Sequence, residues 1–198
     1  MRGIEATFLY GQQDATEIWL CRHGDCYLDM SADPDPPLSS WGREQAAKLA
    51  ERANRIGVEA VYASQARRAI QTAEAIGRPV TNDGRLREFG NDARAAAEAA
   101  MDANSVNWSE DAAQAQKRIK TALDEIAARH PGQRVVVVSH GGIILAHLCD
   151  LMRVEFPQLR ILPYYTSVTV IRHRDGKRRV GSINDTAHLE PITGPPTI

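Results

Sequence analysis

Val135-Val136-Val137-Val138-Ser139-His140-Gly141-Gly142 is the stretch on which the reading of this chain turns. Four consecutive valines show no alternation between an apolar and a polar face. They predict a strand buried on both sides, the mark of a parallel sheet covered by helices. Ser-His-Gly-Gly follows at once, and in such sheets ligands bind just beyond the carboxyl ends of the strands. Outward from this segment, Glu17–Cys21, Ala60–Ala63 and Pro79–Thr81 read as further strands. Two late strands, 166–171 and 179–183, are joined by a turn at Arg174-Asp175-Gly176-Lys177. Between them a helix starts near Ser39, a good N-cap, and runs to about Gly57, with Ala46, Leu49, Ala53 and Ile56 on one face. A second helix covers about Ala66 to Ile76, and a short alanine-rich one is expected from Ala93 to Met101. A long helix capped by Ser109 carries the inner stripe Ala115, Ile119, Ala122 and Ile126, and His130-Pro131-Gly132 stops it. The layout is α/β, with helices on a mostly parallel central sheet.

Three strand ends carry polar clusters: Arg22-His23-Gly24 after the first, Ser64 to Arg68 after the second, and Ser139 to Gly142 after the valines. Together they would deliver two arginines and two histidines to one edge. Such a group repels itself unless an anion lies within it, and phosphate matches the fork of a guanidinium.

Bulk properties bound the rest. The chain has 198 residues, 43% of them apolar and 25% charged, with a net charge of -1. That length suits one domain and buries about 70% of the surface an unfolded chain exposes, so no staple is required. One domain over 1–198 is expected, with loose ends at 1–16 and 193–198. A near-zero charge without a basic block speaks against nucleic-acid and membrane partners. Three cysteines without a CxxC pair suggest a reducing, cytoplasmic setting. No secretory signal or membrane-spanning run is found. Six histidines occur, but no HExxH or similar spacing points to zinc, so neither metal nor cofactor is expected. His130 lies at a helix end, His147 reads as core, and His173 and His188 read as surface or loop.

The motifs, taken in order, resemble those of the histidine phosphatase superfamily, also called phosphoglycerate mutase-like. Cys21-Arg22-His23-Gly24 looks like its hallmark. Pro37-Leu38-Ser39-Ser40-Trp41-Gly42-Arg43-Glu44-Gln45-Ala46 is similar to its Pro-Leu-Thr-x-x-Gly-x-x-Gln-Ala stretch. Ser64-Gln65-Ala66-Arg67-Arg68-Ala69-Ile70-Gln71-Thr72-Ala73 resembles its Ser-Pro-Leu-x-Arg-Ala-x-Gln-Thr-Ala helix. Leu86-Arg87-Glu88 and Val138-Ser139-His140-Gly141 complete the series, and Asn184 to Leu189 resembles the ending of its broad-specificity phosphatases.

The resemblance implies a three-layer α/β/α fold and a phosphatase. His23 would be the nucleophile, Arg22, Arg68 and His140 would hold the phosphate, and Glu88 would be the general acid and base. Gly24 and Gly141 would give the phosphate room. Of the adjacent pair Arg67 and Arg68, counting four residues from Ser64 selects Arg68. The substrate would be a small phosphorylated metabolite, and a homodimer is compatible with the sequence. The family's mutases carry a long insertion between the Glu and second His motifs. Here the interval is short, which favours hydrolysis over mutase chemistry. A non-catalytic phosphate-binding regulator is the alternative from another class. The chain departs from the family at Asp25, Cys26 and Asp29, the last standing where an asparagine touches phosphate. Tyr164 and Tyr165 are equally readable as pocket or core.

Overall fold

In the computed structural model, residues 15–26, 33, 35–89, 110–156 and 158–189 are described. In chain order they form β1 (Thr16–Arg22), α1 (Ser40–Arg55), β2 (Ala60–Ala63), α2 (Arg67–Glu74) and β3 (Val80–Asn82). These are followed by α3 (Ala112–Arg129), β4 (Arg134–Ser139), α4 (Gly141–Met152), β5 (Val168–Arg174) and β6 (Lys177–Asp185). Short 3-10 turns lie at Gly84–Leu86 and Ala187–Leu189.

The valine run is β4, and it sits inside the sheet order β3-β2-β4-β1-β5-β6. It pairs in parallel with β1 and with β2, and β2 pairs in parallel with β3. β5 runs antiparallel to β1, and β6 antiparallel to β5, so the sheet is mixed with a parallel heart. Period-two alternation sorts its residues to two faces. Ile18, Leu20, Val135 and Val137 face a core shared with Ile119, Leu123 and Ile126 of α3 and Ile144 and Leu148 of α4. Trp19, Cys21, Val136 and Val138 face the other core, with Leu49 and Ala53 of α1 and Ala69 and Ala73 of α2. The uninterrupted valines are thus explained: each face of β4 carries its own helical layer. The expected three-layer α/β/α arrangement is the observed one.

Local chemistry sets the helix ends. The Ser39 hydroxyl accepts from the Gly42 N–H at 2.9 Å and starts α1 as expected. For α3 the cap is Asp111, not Ser109, which lies outside the described residues. Asp111 accepts from the Gln114 N–H and Gln114 reaches back to the Asp111 N–H, a reciprocal pair that fixes the first turn.

β5 lies a little further along than expected, and β6 extends beyond its expected bounds at both ends. Thr166 holds a left-handed φ of 54°, so β5 cannot begin there and opens at Val168. Asp175 and Gly176, both at positive φ, make the tight hairpin turn into β6. At the start of the chain Ala15 and Thr16 are buried, and the Thr16 hydroxyl donates to the Ala127 and His130 carbonyls. They belong to the body rather than to a loose end. Residues 1–14 and 193–198, the helix expected at Ala93–Met101, and Asp29 lie outside the described residues.

Candidate active site

Sheet register explains why three remote motifs meet. β1 and β4 end level, with Arg22 opposite Ser139, and the His23 N–H donates to the Ser139 carbonyl at 3.0 Å. On the other side of β4 the Ser64 N–H donates to the Val138 carbonyl at 2.9 Å. The chain after β1, after β2 and after β4 therefore emerges along one edge. α2 begins three residues beyond Ser64 and turns Arg68 back over it, buried, while Arg67 points outward to Asp33 at 3.2 Å. The assignment of Arg68 rather than Arg67 to the inner side matches this geometry.

Hydrogen-bond partners assign the tautomers. The His23 Nδ1 lies 2.7 Å from the Gly24 carbonyl, which can only accept, so Nδ1 carries the hydrogen. The Arg68 Nε–H donates to His23 Nε2 at 3.2 Å, so Nε2 carries no hydrogen and turns its lone pair to Arg68. Arg68 Nη2 likewise donates to His140 Nδ1 at 3.3 Å. His140 Nε2 then carries the hydrogen and donates to the Ser64 hydroxyl at 2.8 Å. The two rings meet edge to face at 5.1 Å.

Burial, followed by the nearby His140, Arg22 and Arg68, holds the His23 pKa well below its ordinary value. Burial and then Arg68 and Arg22 do the same for His140. Both imidazoles are neutral at physiological pH, each with its lone pair directed at Arg68.

Glu88 arrives from beyond β3. Its Oε1 accepts from the Phe89 N–H at 2.7 Å and the Ile143 N–H at 2.9 Å, and Oε2 from the Gly142 N–H at 3.3 Å. The carboxyl is thus seated on the first turn of α4, where unpaired amides face it. Burial raises its pKa, and those three N–H donors pull only partly the other way. Gly142, which sequence reasoning passed over, makes the seat possible: a Cβ there would stand 2.9 Å from Glu88 Oε1.

Gly24 has a different neighbour from the one expected. A Cβ on it would lie 2.6 Å from the Gly42 carbonyl oxygen, so its bareness serves the approach of the loop to α1. A Cβ on Gly141 would meet the Arg22 Nε at 3.4 Å, ordinary contact beside that guanidinium. Cys26 is buried, and burial raises the pKa of its thiol, which favours the unreactive form.

Tyr165 joins the cluster. Its ring lies 5.8 Å from that of His23 and 3.9 Å beneath the Arg22 guanidinium carbon, a cation–π contact. Arg22 Nη1 donates to the Pro163 carbonyl at 2.8 Å. Behind this loop the Asn184 side chain accepts from the Tyr164 N–H at 2.7 Å and donates to the Leu162 carbonyl. The His188 Nε2 contacts the Thr166 hydroxyl at 3.2 Å, and the Thr166 N–H donates to the Arg22 and His23 carbonyls. His188 and His173 are both buried, contrary to their reading as surface or loop. The signal was thin: each stands in a polar run whose packing against α1 or α3 sequence cannot show. Among the described residues no group of three or more His, Cys, Asp or Glu side chains is placed to hold a metal ion.

With that geometry in place, comparison with known proteins fixes the family. The profile of the histidine phosphatase superfamily (branch 1) matches residues 18–186, and the chain belongs to that superfamily. It is an enzyme of the phosphatase class with the phosphoglycerate mutase-like fold. Phosphoglycerate mutase-like protein 4 of Arabidopsis thaliana is 29% identical, over 94% of this chain and 92% of its own. The metal-independent phosphoserine phosphatase of the same plant is 28% identical, over 91% of this chain and 86% of its own. Among solved structures, Bacillus stearothermophilus YhfR is 28% identical and superposes with a TM-score of 0.74, over 89% of this chain and 100% of its own. No helix among the described residues is long and apolar enough to cross a membrane.

Proposed function

We propose that this enzyme hydrolyses a small phosphomonoester without a metal ion, through a phosphohistidine on His23. One observation carries the reading: the unprotonated Nε2 of a neutral, buried His23 faces the donors of Arg68, within a cluster completed by Arg22 and His140. A lone pair held ready among cationic donors is the arrangement in-line attack on a phosphoryl group requires.

In the first step Nε2 attacks phosphorus and the ester oxygen leaves. Arg68 moves its donors from the imidazoles to the equatorial oxygens, where charge gathers. Arg22 supports this role: its buried Nε–H has no hydrogen-bond acceptor among the described residues. Glu88, whose pKa is raised by burial, gives its proton to the leaving oxygen. It then takes one from water as that water attacks the phosphohistidine, so one carboxyl serves both half-reactions. The Gly24 carbonyl holds Nδ1–H throughout and stabilises the ring as it acquires positive charge.

The short interval between Glu88 and His140 favours water over a second sugar acid as acceptor. The 28% identity to a metal-independent phosphoserine phosphatase supports the same reading, with phosphoserine a natural first substrate to try. Rapid acid-free quenching during turnover should trap a base-stable, acid-labile phosphoenzyme that maps to His23. Turnover without any such species would show direct attack by water and overturn the mechanism. A panel of phosphorylated metabolites, with a mutase assay on 3-phosphoglycerate beside it, ranks the substrates.

A further inference from the structure

We infer that Asp35 competes with phosphate for Arg68 and thereby eases release of the product; this rests on the phosphate-pocket reading above. The three nitrogens of the Arg68 guanidinium point to three partners. Nε meets His23, Nη2 meets His140, and Nη1 lies 3.4 Å from Asp35 Oδ1. A phosphate approaching His23 Nε2 must take over those donors. Two of the partners are neutral imidazoles, and Asp35 is the one anion among them.

Burial distinguishes the two members of this ion pair. The Arg68 side chain is 7% exposed and that of Asp35 is 49% exposed. The long contact and the solvated carboxylate describe a weak pair, easily exchanged for a dianion. Asp35 also accepts the Arg67 N–H with both oxygens, at 3.0 and 2.9 Å, and so covers the first turn of α2. That covering task needs an oxygen acceptor, and asparagine keeps one in the same place. The negative charge suits the positive end of α2, and the neighbouring cation it reaches is Arg68. Asp33, by contrast, pairs with Arg67 and stays outside the cluster.

Product release is the step this arrangement serves. Two arginines closing on a dianion bind it in ester, transition state and product alike, and uniform binding of that kind slows departure. A carboxylate poised to reclaim one guanidinium lowers affinity for all three.

The test uses the full chain carrying Asp35→Asn, Asp35→Ser or Asp35→Glu, with Asp33→Asn as control. Inorganic phosphate is the probe, measured by calorimetry and as a competitive inhibitor of aryl phosphate hydrolysis. The two neutral variants should bind phosphate about two- to fivefold more tightly, with KM falling in parallel. The gap should shrink at high ionic strength. Asp35→Glu should restore wild-type binding, and Asp33→Asn should leave it unchanged. Thermal melts identify which neutral variant retains the fold, and either one suffices. Unchanged or weaker phosphate binding in a folded neutral variant overturns the inference. Failure of the wild-type enzyme to bind phosphate at all would instead overturn the pocket reading itself.

Discussion

Among the five buried histidines, two pairs stand in contrasting surroundings. His23 and His140 stand at the carboxyl edge of the sheet, with their ring nitrogens engaged by Gly24, Arg68 and Ser64. His147 of α4 and His173 of β5 lie between the sheet and α3. Neither His147 nitrogen, nor His173 Nε2, has a hydrogen-bond partner among the described residues. The His173 Nδ1 lies 3.5 Å from Asp124, whose carboxylate is paired with Arg178. Burial lowers all four pKa values, His147 to about 3 and His173 to about 4. A perturbed pKa is therefore no mark of catalysis by itself. What separates the pairs is the partners: arginine donors reach one pair, while three of the four nitrogens in the other have no hydrogen-bond partner among the described residues.

The comparison is most directly broken at His23. His23→Ala should lower turnover of an aryl phosphate by about a thousandfold or more, since it removes the attacking nitrogen. Wild-type-like activity would remove the nucleophile from the account. Arg68→Ala should cost about a hundredfold or more in kcat/KM. Arg67→Ala should cost less than about threefold, because its side chain pairs with Asp33 outside the cluster. The reverse pattern would place the wrong arginine in the pocket.

Glu88→Gln tests the carboxyl seated on α4. Its raised pKa keeps the proton in place at low pH, and the proton is lost as pH rises through that raised value. Wild-type kcat/KM should therefore fall on the alkaline side. The glutamine variant should lose about a hundredfold near neutrality and show no such fall. An unchanged alkaline limb would assign it to another group.

The smallest effect belongs to the other histidine pair. His147 and His173 bind protons less readily folded than unfolded. Their contribution to stability is whole above about pH 6.5 and is lost as pH falls toward the folded values of about 4 and 3. His147→Leu should leave activity unchanged and raise stability at pH 5 by about 1–2 kcal/mol, because a buried imidazole without partners gives way to an apolar group. Its melting temperature should also fall less steeply with acid. A steeper fall would show that His147 has a partner after all.

Much of the site was legible because its chemistry is local in sequence. Arg22-His23-Gly24, Arg68 and Ser139-His140 each follow a strand, and a strand end in an α/β sheet is where ligands bind. Helical counting from Ser64 separated Arg68 from Arg67. Other parts depend on segments distant in the chain. Tyr165 was indistinguishable from a core aromatic until β5 ran antiparallel beside β1 and set the preceding loop under Arg22. Gly24 was assigned to the phosphate, but its close neighbour is Gly42, eighteen residues on in α1. His173 and His188 were misplaced because burial of a polar residue depends on what packs over it.

The sequence by itself determined the layer order, the strand ends that carry chemistry, and the identity of the cationic cluster. Period and punctuation are written along the chain, and hydrophobic burial obeys them. Only the tertiary structure decided which His23 nitrogen is unprotonated, how Glu88 is seated at Gly142, and that Asp35 reaches Arg68. Those are matters of distances below 4 Å between side chains dozens of residues apart, and packing alone sets them. His23, plain in the sequence as a residue, acquired a direction only when Gly24 and Arg68 were placed on either side of its ring.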